Sequence, residues 1–306
     1  MAMVSILVTV LVPIFILIGL GYILHIKFDL HLGTLAKLNI YVFVPGFIFV
    51  KFYKTTLNPS LLLYIAVFFG LYVLVLYLIV KVLSAVLRLN PAKATTLNNS
   101  VLFFNSGNYG APVNDIVFKG DALAMSAQVI VLTLQNLFTF TYGIFAIQSV
   151  QVGKLKALLG YFKMPILYAL ALAIIFNYAN LPIPKFAWTP LNYLAQAMIP
   201  IALILLGAQI ARFKFTFKWT SAYFYIIIRL IIGPIIALGI IYVLGFHGMI
   251  AQALFIASAM PTSVNSSVIA QEYDNYPELA AQLVIISTLL SAITVVAVIY
   301  LSQIIF

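Results

Sequence analysis

Asn105-Ser-Gly-Asn-Tyr-Gly-Ala-Pro112 and Met260-Pro-Thr-Ser-Val-Asn-Ser-Ser267 are short polar stretches, interrupted by glycine or proline, inside otherwise apolar spans. A helix broken within a bilayer exposes backbone N–H and C=O groups that lipid cannot solvate. Such a break persists only against protein, water or a ligand. Two breaks at corresponding places in the two halves of a chain point to a binding site between repeats.

The rest of the sequence supplies the bilayer. Of 306 residues, 65% are hydrophobic and only 7% charged, with a mean hydropathy of +1.17, whereas soluble domains carry about 25% charged residues. Met1 to Ile26, Leu61 to Val80, Ala122 to Gly153, Phe186 to Ala211 and Leu279 to Phe306 contain no Lys, Arg, Asp or Glu. Each is long enough for the roughly 20 residues that cross a bilayer. Met1 to Leu24 lacks a basic leading region and an Ala-x-Ala site, so it is read as a retained first span. The chain has no cysteine, hence neither a disulfide framework nor a thiolate metal site.

Turn signals and charges divide the sequence into ten expected spans: Val4 to Leu24, Leu32 to Phe52, Leu61 to Leu87, Pro91 to Phe118, Ala122 to Ser149, Lys156 to Asn177, Trp188 to Ala211, Lys218 to Leu244, Gly248 to Gln271 and Glu278 to Ile305. The second needs Lys37 and Lys51 to snorkel outward. The net charge of +10 then has a topological explanation, and no nucleic-acid partner is expected. Lys27, Lys37, Lys81, Arg88, Lys93, Lys154, Lys156, Lys163, Arg212, Lys214 and Lys218 fall on one side. Only Lys51, Lys54, Lys119 and Lys185 fall on the other. The crowded side is the cytoplasmic one, which places both termini outside the cell membrane.

The halves, 1–152 and 153–306, match weakly but in order. Pro13, Pro45 and Pro112 pair with Pro165, Pro200 and Pro261, at spacings of 32 and 67 residues against 35 and 61. Five spans per half give the second half the opposite orientation, the inverted repeat of many secondary transporters. The expected fold is an all-α polytopic membrane protein whose spans four and nine are broken and crossed.

In span four, Ala94 to Phe104 is expected to form one half-helix and Val113 to Phe118 another, with Pro112 in its first turn. Unpaired N–H groups at such a start suit a carboxylate. In span nine, Pro261 breaks the helix, and Thr262, Ser263, Asn265, Ser266 and Ser267 offer hydroxyl and amide groups. Two ionisable side chains lie within spans, and such residues are functional candidates. Asp115 can carry a coupling proton if burial raises its pKa, and Arg229 can hold an anion through its fork; they can equally pair with each other. Asn39 and Gln196 precede Pro45 and Pro200 and can face the site from a second panel, or act as interhelical glue. Gln128, Gln135, Asn136 and Gln209 are read as interhelical hydrogen-bonders. Glu272, Asp274 and Glu278 are read as a solvated loop. His25, His31 and His247 lack ligand spacing, so no metal is expected. No nucleophile motif or phosphate-binding loop occurs, and no enzyme is expected.

With both breaks in hand, the chain resembles the auxin efflux carrier family, which includes plant auxin exporters and bacterial permeases for malate, malonate and related organic anions. The likeness is strongest over Asn98 to Val113 and over Ala259-Met-Pro-Thr-Ser-Val-Asn-Ser-Ser-Val-Ile-Ala-Gln-Glu-Tyr-Asp-Asn-Tyr-Pro-Glu-Leu279. It is weaker over Leu38-Asn-Ile-Tyr-Val-Phe-Val-Pro45 and Leu206-Gly-Ala-Gln209. The resemblance implies a fold similar to the sodium/bile acid symporters. It implies a scaffold (1–56 and 154–213), a moving transport domain (57–153 and 214–306), and a homodimer through the scaffold. It also implies a small carboxylate where spans four and nine cross, with Asn105 at the place of a substrate-contacting asparagine of the plant exporters. On the reading of the two breaks, Asn105, Ser106, Asn108, Tyr109, Gly110, Pro112, Pro261, Thr262, Ser263 and Asn265 are the expected substrate contacts. Gln148 to Lys163 is far shorter than the central loop of the large plant exporters, which places the chain with the compact bacterial permeases. No cofactor is implied. Proton or sodium coupling of the bile acid type, and a membrane sensor instead of a transporter, stay open at this point.

Overall fold

The structure, a computed structural model, describes residues 8, 12–54, 59–119, 121–153, 155–156, 162, 165–211 and 221–306. The leading parts of the first, sixth and eighth expected spans lie largely outside these residues, as do Lys154, Lys163, Arg212, Lys214 and Lys218. Among the described residues the regular structure is helical: α1 (Val12–Phe28), α2 (Leu32–Lys54), α3 (Pro59–Val86), α4 (Pro91–Leu102), α5 (Ala111–Phe118) and α6 (Leu123–Val152). There follow α7 (Pro165–Tyr178), α8 (Lys185–Ala211), α9 (Ala222–Val243), α10 (Gly248–Ser258), α11 (Val264–Glu272) and α12 (Pro277–Ile305). Six of these, α2, α3, α6, α8, α9 and α12, are long and apolar enough to cross a membrane, and α1, α7 and α10 are shorter apolar helices. The chain is therefore a multi-pass membrane protein.

Local chemistry sets the helix starts. The Asn90 side chain accepts from Lys93 N at 2.8 Å, with Pro91 in the first turn of α4. The Asp121 carboxylate accepts from Leu123 N and Ala124 N, both at 3.0 Å, and opens α6. Three prolines inside the helical runs are absorbed by a widened turn, whereas Pro190 and Pro200 lie within regular α8. A proline lacks the N–H that its turn needs, and its ring crowds the carbonyl four residues back. Widening the turn by one residue relieves both. π turns at Asn39–Phe43, Ser106–Gly110 and Ile228–Ile232 stand directly before Val44-Pro45, Ala111-Pro112 and Gly233-Pro234.

The Gly-Asn-Tyr-Gly-Ala-Pro run is thus a widened turn leading into α5, and the break in span four is Phe103-Phe104-Asn105. Of the expected interruption, Asn105 to Pro112, only Asn105 lies in the break; the rest is helical, and Phe103 and Phe104 of the expected first half-helix join the break instead. The span-nine break is Ala259 to Ser263, as Pro261 requires, since a residue before proline is pushed out of the helical region.

Packing separates the helices into neighbourhoods. α1 lies along α8, and α2 packs against α7 and α8. α6 packs against α3 and α10, α9 against α10, and α11 against α12. The α1–α8 pair is in backbone contact, which in a membrane substitutes dispersion for the absent hydrophobic drive. A Cβ on Gly21 would lie 2.1 Å from Ile204 O, and one on Gly207 only 1.9 Å from Ile18 O.

Glu272, at the end of α11, is not the solvated residue expected. Its Oε2 is buried without a hydrogen-bond partner, and burial raises its pKa against the opposing pull of Lys37 and Tyr41 on α2.

Two outcomes follow from this packing. Gly207→Val should destabilise the protein by about 3 kcal/mol and lower its melting temperature in detergent. Gly19→Ala, which faces open space, should leave it unchanged. A carboxyl with a raised folded pKa contributes stability that is present in acid and lost as the pH rises through that pKa. Glu272→Gln should therefore flatten the fall in melting temperature from acid to neutral pH, whereas an unaltered pH profile would count against this burial.

Candidate functional site

The two breaks lie side by side and solve each other's hydrogen-bonding problem. Phe104 and Thr262 form an antiparallel bridge, in which Asn105 N donates to Pro261 O at 2.8 Å and Ser263 N donates to Phe103 O at 2.7 Å. The carbonyls at the end of α4 are met one by one. Ser100 O accepts from the Thr262 hydroxyl at 2.8 Å, Val101 O from Arg229 Nη1 at 2.8 Å, and Leu102 O from Gln135 Nε2 at 3.4 Å. At the end of α10, Ser258 O accepts from Arg229 Nη2 and from the Tyr72 hydroxyl.

Arg229 is completely buried. Its guanidinium ties α4 to α10, contacts the Tyr72 hydroxyl, and lies 5.0 Å from the Phe104 ring centroid. Neither sequence expectation for it fits, since its Nη donors go to the ends of helices and not to Asp115 or to open space. Asp115 is exposed on α5. The buried polar residue of that turn is its neighbour Asn114, whose Nδ2 donates to Gln128 Oε1 at 2.5 Å; Gln128 Nε2 in turn donates to Ser106 O at 2.6 Å. Gln128 thereby holds the first turn after the break.

Beyond the bridge, on the side where α5 and α11 begin, is a cavity of about 20 Å³. Asn105, Ser106 and Gly107 line it from one break, Ser263 and Asn265 from the other. Asn136 on α6 adds an amide, and Phe104, Leu132, Phe47 on α2, and Met198 and Ile199 on α8 close it with apolar surface. The Ser106 Oγ is buried and has no hydrogen-bond partner. A second cavity, of about 40 Å³, shares Phe47, Leu132 and Asn136 and extends along α2 past Ile48 to Phe52.

The remaining sequence candidates fall elsewhere. Thr262 and Pro261 are committed to the bridge; the Thr262 N–H also donates to Ser287 Oγ at 3.1 Å. Tyr109 is buried, its hydroxyl accepting from Ser291 Oγ at 3.2 Å. Gly110 packs where a Cβ would lie 2.8 Å from Gln128 Nε2. The side chains of Asn108 and Pro112 lie outside the described residues. Gln196 is exposed, and Asn39, though fully buried, is not in the cavity wall. The second panel contributes Phe47, Met198 and Ile199 instead, each within two residues of Pro45 or Pro200. That adjacency to proline is the sequence signal that finds them, and amide content is not.

Residues 152–300 match the family described as "Membrane transport protein". An "Uncharacterized transporter" of Methanothermobacter thermautotrophicus is 28% identical over 299 residues, covering 92% of this chain and 93% of its own length. The "Uncharacterized transporter YfdV" of Escherichia coli K12 is 27% identical over 207 residues, 65% of each chain. A "Putative malonate transporter" of Rhizobium meliloti is 30% identical over 112 residues, 36% of this chain and 35% of its own. These matches support the family resemblance read from the two breaks and indicate a membrane transporter, not an enzyme.

Arg229→Met strips the partner from carbonyls at two helix ends, with an expected destabilisation of about 3 kcal/mol or more. Thermal melting of the purified protein measures it. Arg229→Lys, which keeps the charge but not the fork, should lose less; equal melting for all three forms would remove Arg229 from this role.

Proposed function

We propose that this chain, a membrane transport protein of the auxin efflux carrier family, carries small organic anions of the malate or malonate kind across the cytoplasmic membrane. The carboxylate sits between the starts of α5 and α11. The observation that carries this reading is Ser106. Its buried hydroxyl lacks a partner and lines a cavity flanked by two helix N-termini, whose dipoles favour negative charge. Asn105, Asn265 and Asn136 are the further polar groups there, and Asn108 belongs to the same first turn.

Alternating access is read as an elevator. In this reading α4–α5 and α10–α11 each fill the place of one span, giving ten spans in two inverted five-span repeats with both termini outside. The helices α1, α2, α7 and α8 are the scaffold, and the rest move. The walls of the cavity support this division: the scaffold side is Phe47, Met198 and Ile199, an apolar face, while the bonds from Gln209 Nε2 on α8 to Ser267 O and Gln271 Oε1 on α11 are ones that the movement has to exchange. A volume of about 20 Å³ holds one water-sized group, so a carboxylate enters only when the panels separate. The second cavity, running to Phe52, marks the route to the outer face.

Ser106→Ala and Asn265→Ala should each reduce carboxylate uptake into proteoliposomes by about tenfold or more, the scale of a lost hydrogen bond to a charged group, without lowering the melting temperature. Wild-type rates in both would refute the site. Carboxylates that raise the melting temperature of the purified protein identify its ligands by mass action.

A further inference from the structure

The breaks create four helix ends, and their charges are treated unequally. Each end carries roughly half an elementary charge, negative at the C-termini of α4 and α10 and positive at the N-termini of α5 and α11. The two negative ends converge on one guanidinium, that of Arg229, which donates to Val101 O and Ser258 O. Arg229 is the only fully buried charged side chain among the described residues, so the negative ends together with Arg229 are close to neutral. The positive ends receive no such charge among the described residues; the start of α11 has only a neutral cap, Ser263 Oγ accepting from Asn265 N at 3.3 Å. No charged side chain lines the cavity that they flank, and the Ser106 hydroxyl there has no partner. The Phe104 ring, one face of which Arg229 approaches at 5.0 Å, also lines the cavity and keeps the guanidinium out of a ligand's reach.

We infer that the site is balanced for a single negative charge: the species carried is a monoanion, either a monocarboxylate or a dicarboxylate with one carboxyl protonated, and Arg229 sets this balance as a positioning residue that never touches the substrate. The inference deepens the carboxylate reading above and rests on it. A second negative charge would enter a cavity that offers it no cation, against Phe47, Leu132, Met198 and Ile199. Burying an uncompensated charge on such a wall is strongly unfavourable. A neutral or apolar remainder of the substrate suits the same wall.

The test uses the full chain in proteoliposomes, with equal pH on both sides and two probes, malonate and its monomethyl ester. The half-ester is a monoanion throughout the range, and its initial rate should stay level from weakly acidic to alkaline pH. The malonate rate should fall about tenfold per pH unit above its second ionisation, following the monoanion. A malonate rate that is constant or rises with the dianion overturns the inference while leaving the carboxylate reading intact. If neither probe moves, and no mono- or dicarboxylate shifts the melting temperature, both fall together. Arg229→Lys should preserve the preference for the half-ester over malonate at alkaline pH. In Arg229→Gln, provided that it melts cooperatively, half-ester affinity should drop about tenfold or more; affinity equal to wild type in that variant would remove Arg229 from the balance.

Discussion

The interruption of two helices inside a bilayer can survive only if every backbone group it frees is met, and Arg229 is where that requirement concentrates. One buried guanidinium holds a C-terminal carbonyl of α4 and another of α10, while the bridge at Phe104 and Thr262 joins the segments between the half-helices. A neutral side chain in the same position could satisfy a carbonyl, yet it would leave the negative ends of two helix dipoles facing each other. The charge resolves both demands. Thr262 and Gln135 finish the accounting at neighbouring carbonyls of α4, and Tyr72 is a second donor to Ser258 O.

Meeting the carbonyls on one side leaves the amides on the other, and this asymmetry joins folding to function. The same backbone turns that end α4 and α10 begin α5 and α11. Their polar starts line a small cavity, with the Ser106 hydroxyl unpartnered in it. Gln128 stiffens one start by holding Ser106 O, and is itself held by Asn114. The opposing wall is apolar and belongs to α2 and α8, helices that pack with α1 and α7. A site whose polarity lies wholly on one panel can change its exposure by moving that panel.

Much of this was legible in sequence, at the level of elements and not of contacts. The apolar runs, the two polar interruptions and the family likeness all came from residue type and order. The position of the first break did not, because the signal used for it, glycine and proline at Gly107 to Pro112, marks a widened turn before a proline. The true break, Phe103-Phe104-Asn105, contains neither glycine nor proline. It is extended because Pro261 and Ser263 of the other break supply its backbone partners. Asp115 and Arg229 looked alike as rare charges within spans, but a step of one residue along α5 turns Asn114 inward and Asp115 outward. Glu272 looked like loop polarity, yet it is half-buried, its Oε2 fully so, beside Lys37 and Tyr41 of α2.

By itself the sequence determined that the chain is a helical, multi-pass membrane protein, that two of its helices carry polar interruptions, and which family it resembles. Those properties follow from hydropathy, from the fixed geometry of proline and from short local motifs. Only the tertiary structure decided where the first helix breaks, which amides face the cavity, and that the one fully buried charge among the described residues serves helix ends. The break and the role of Arg229 depend on hydrogen bonds between residues more than 100 positions apart, such as Arg229 to Val101 at a separation of 128, and the cavity wall on helices from across the chain; local pattern carries no information about such partners.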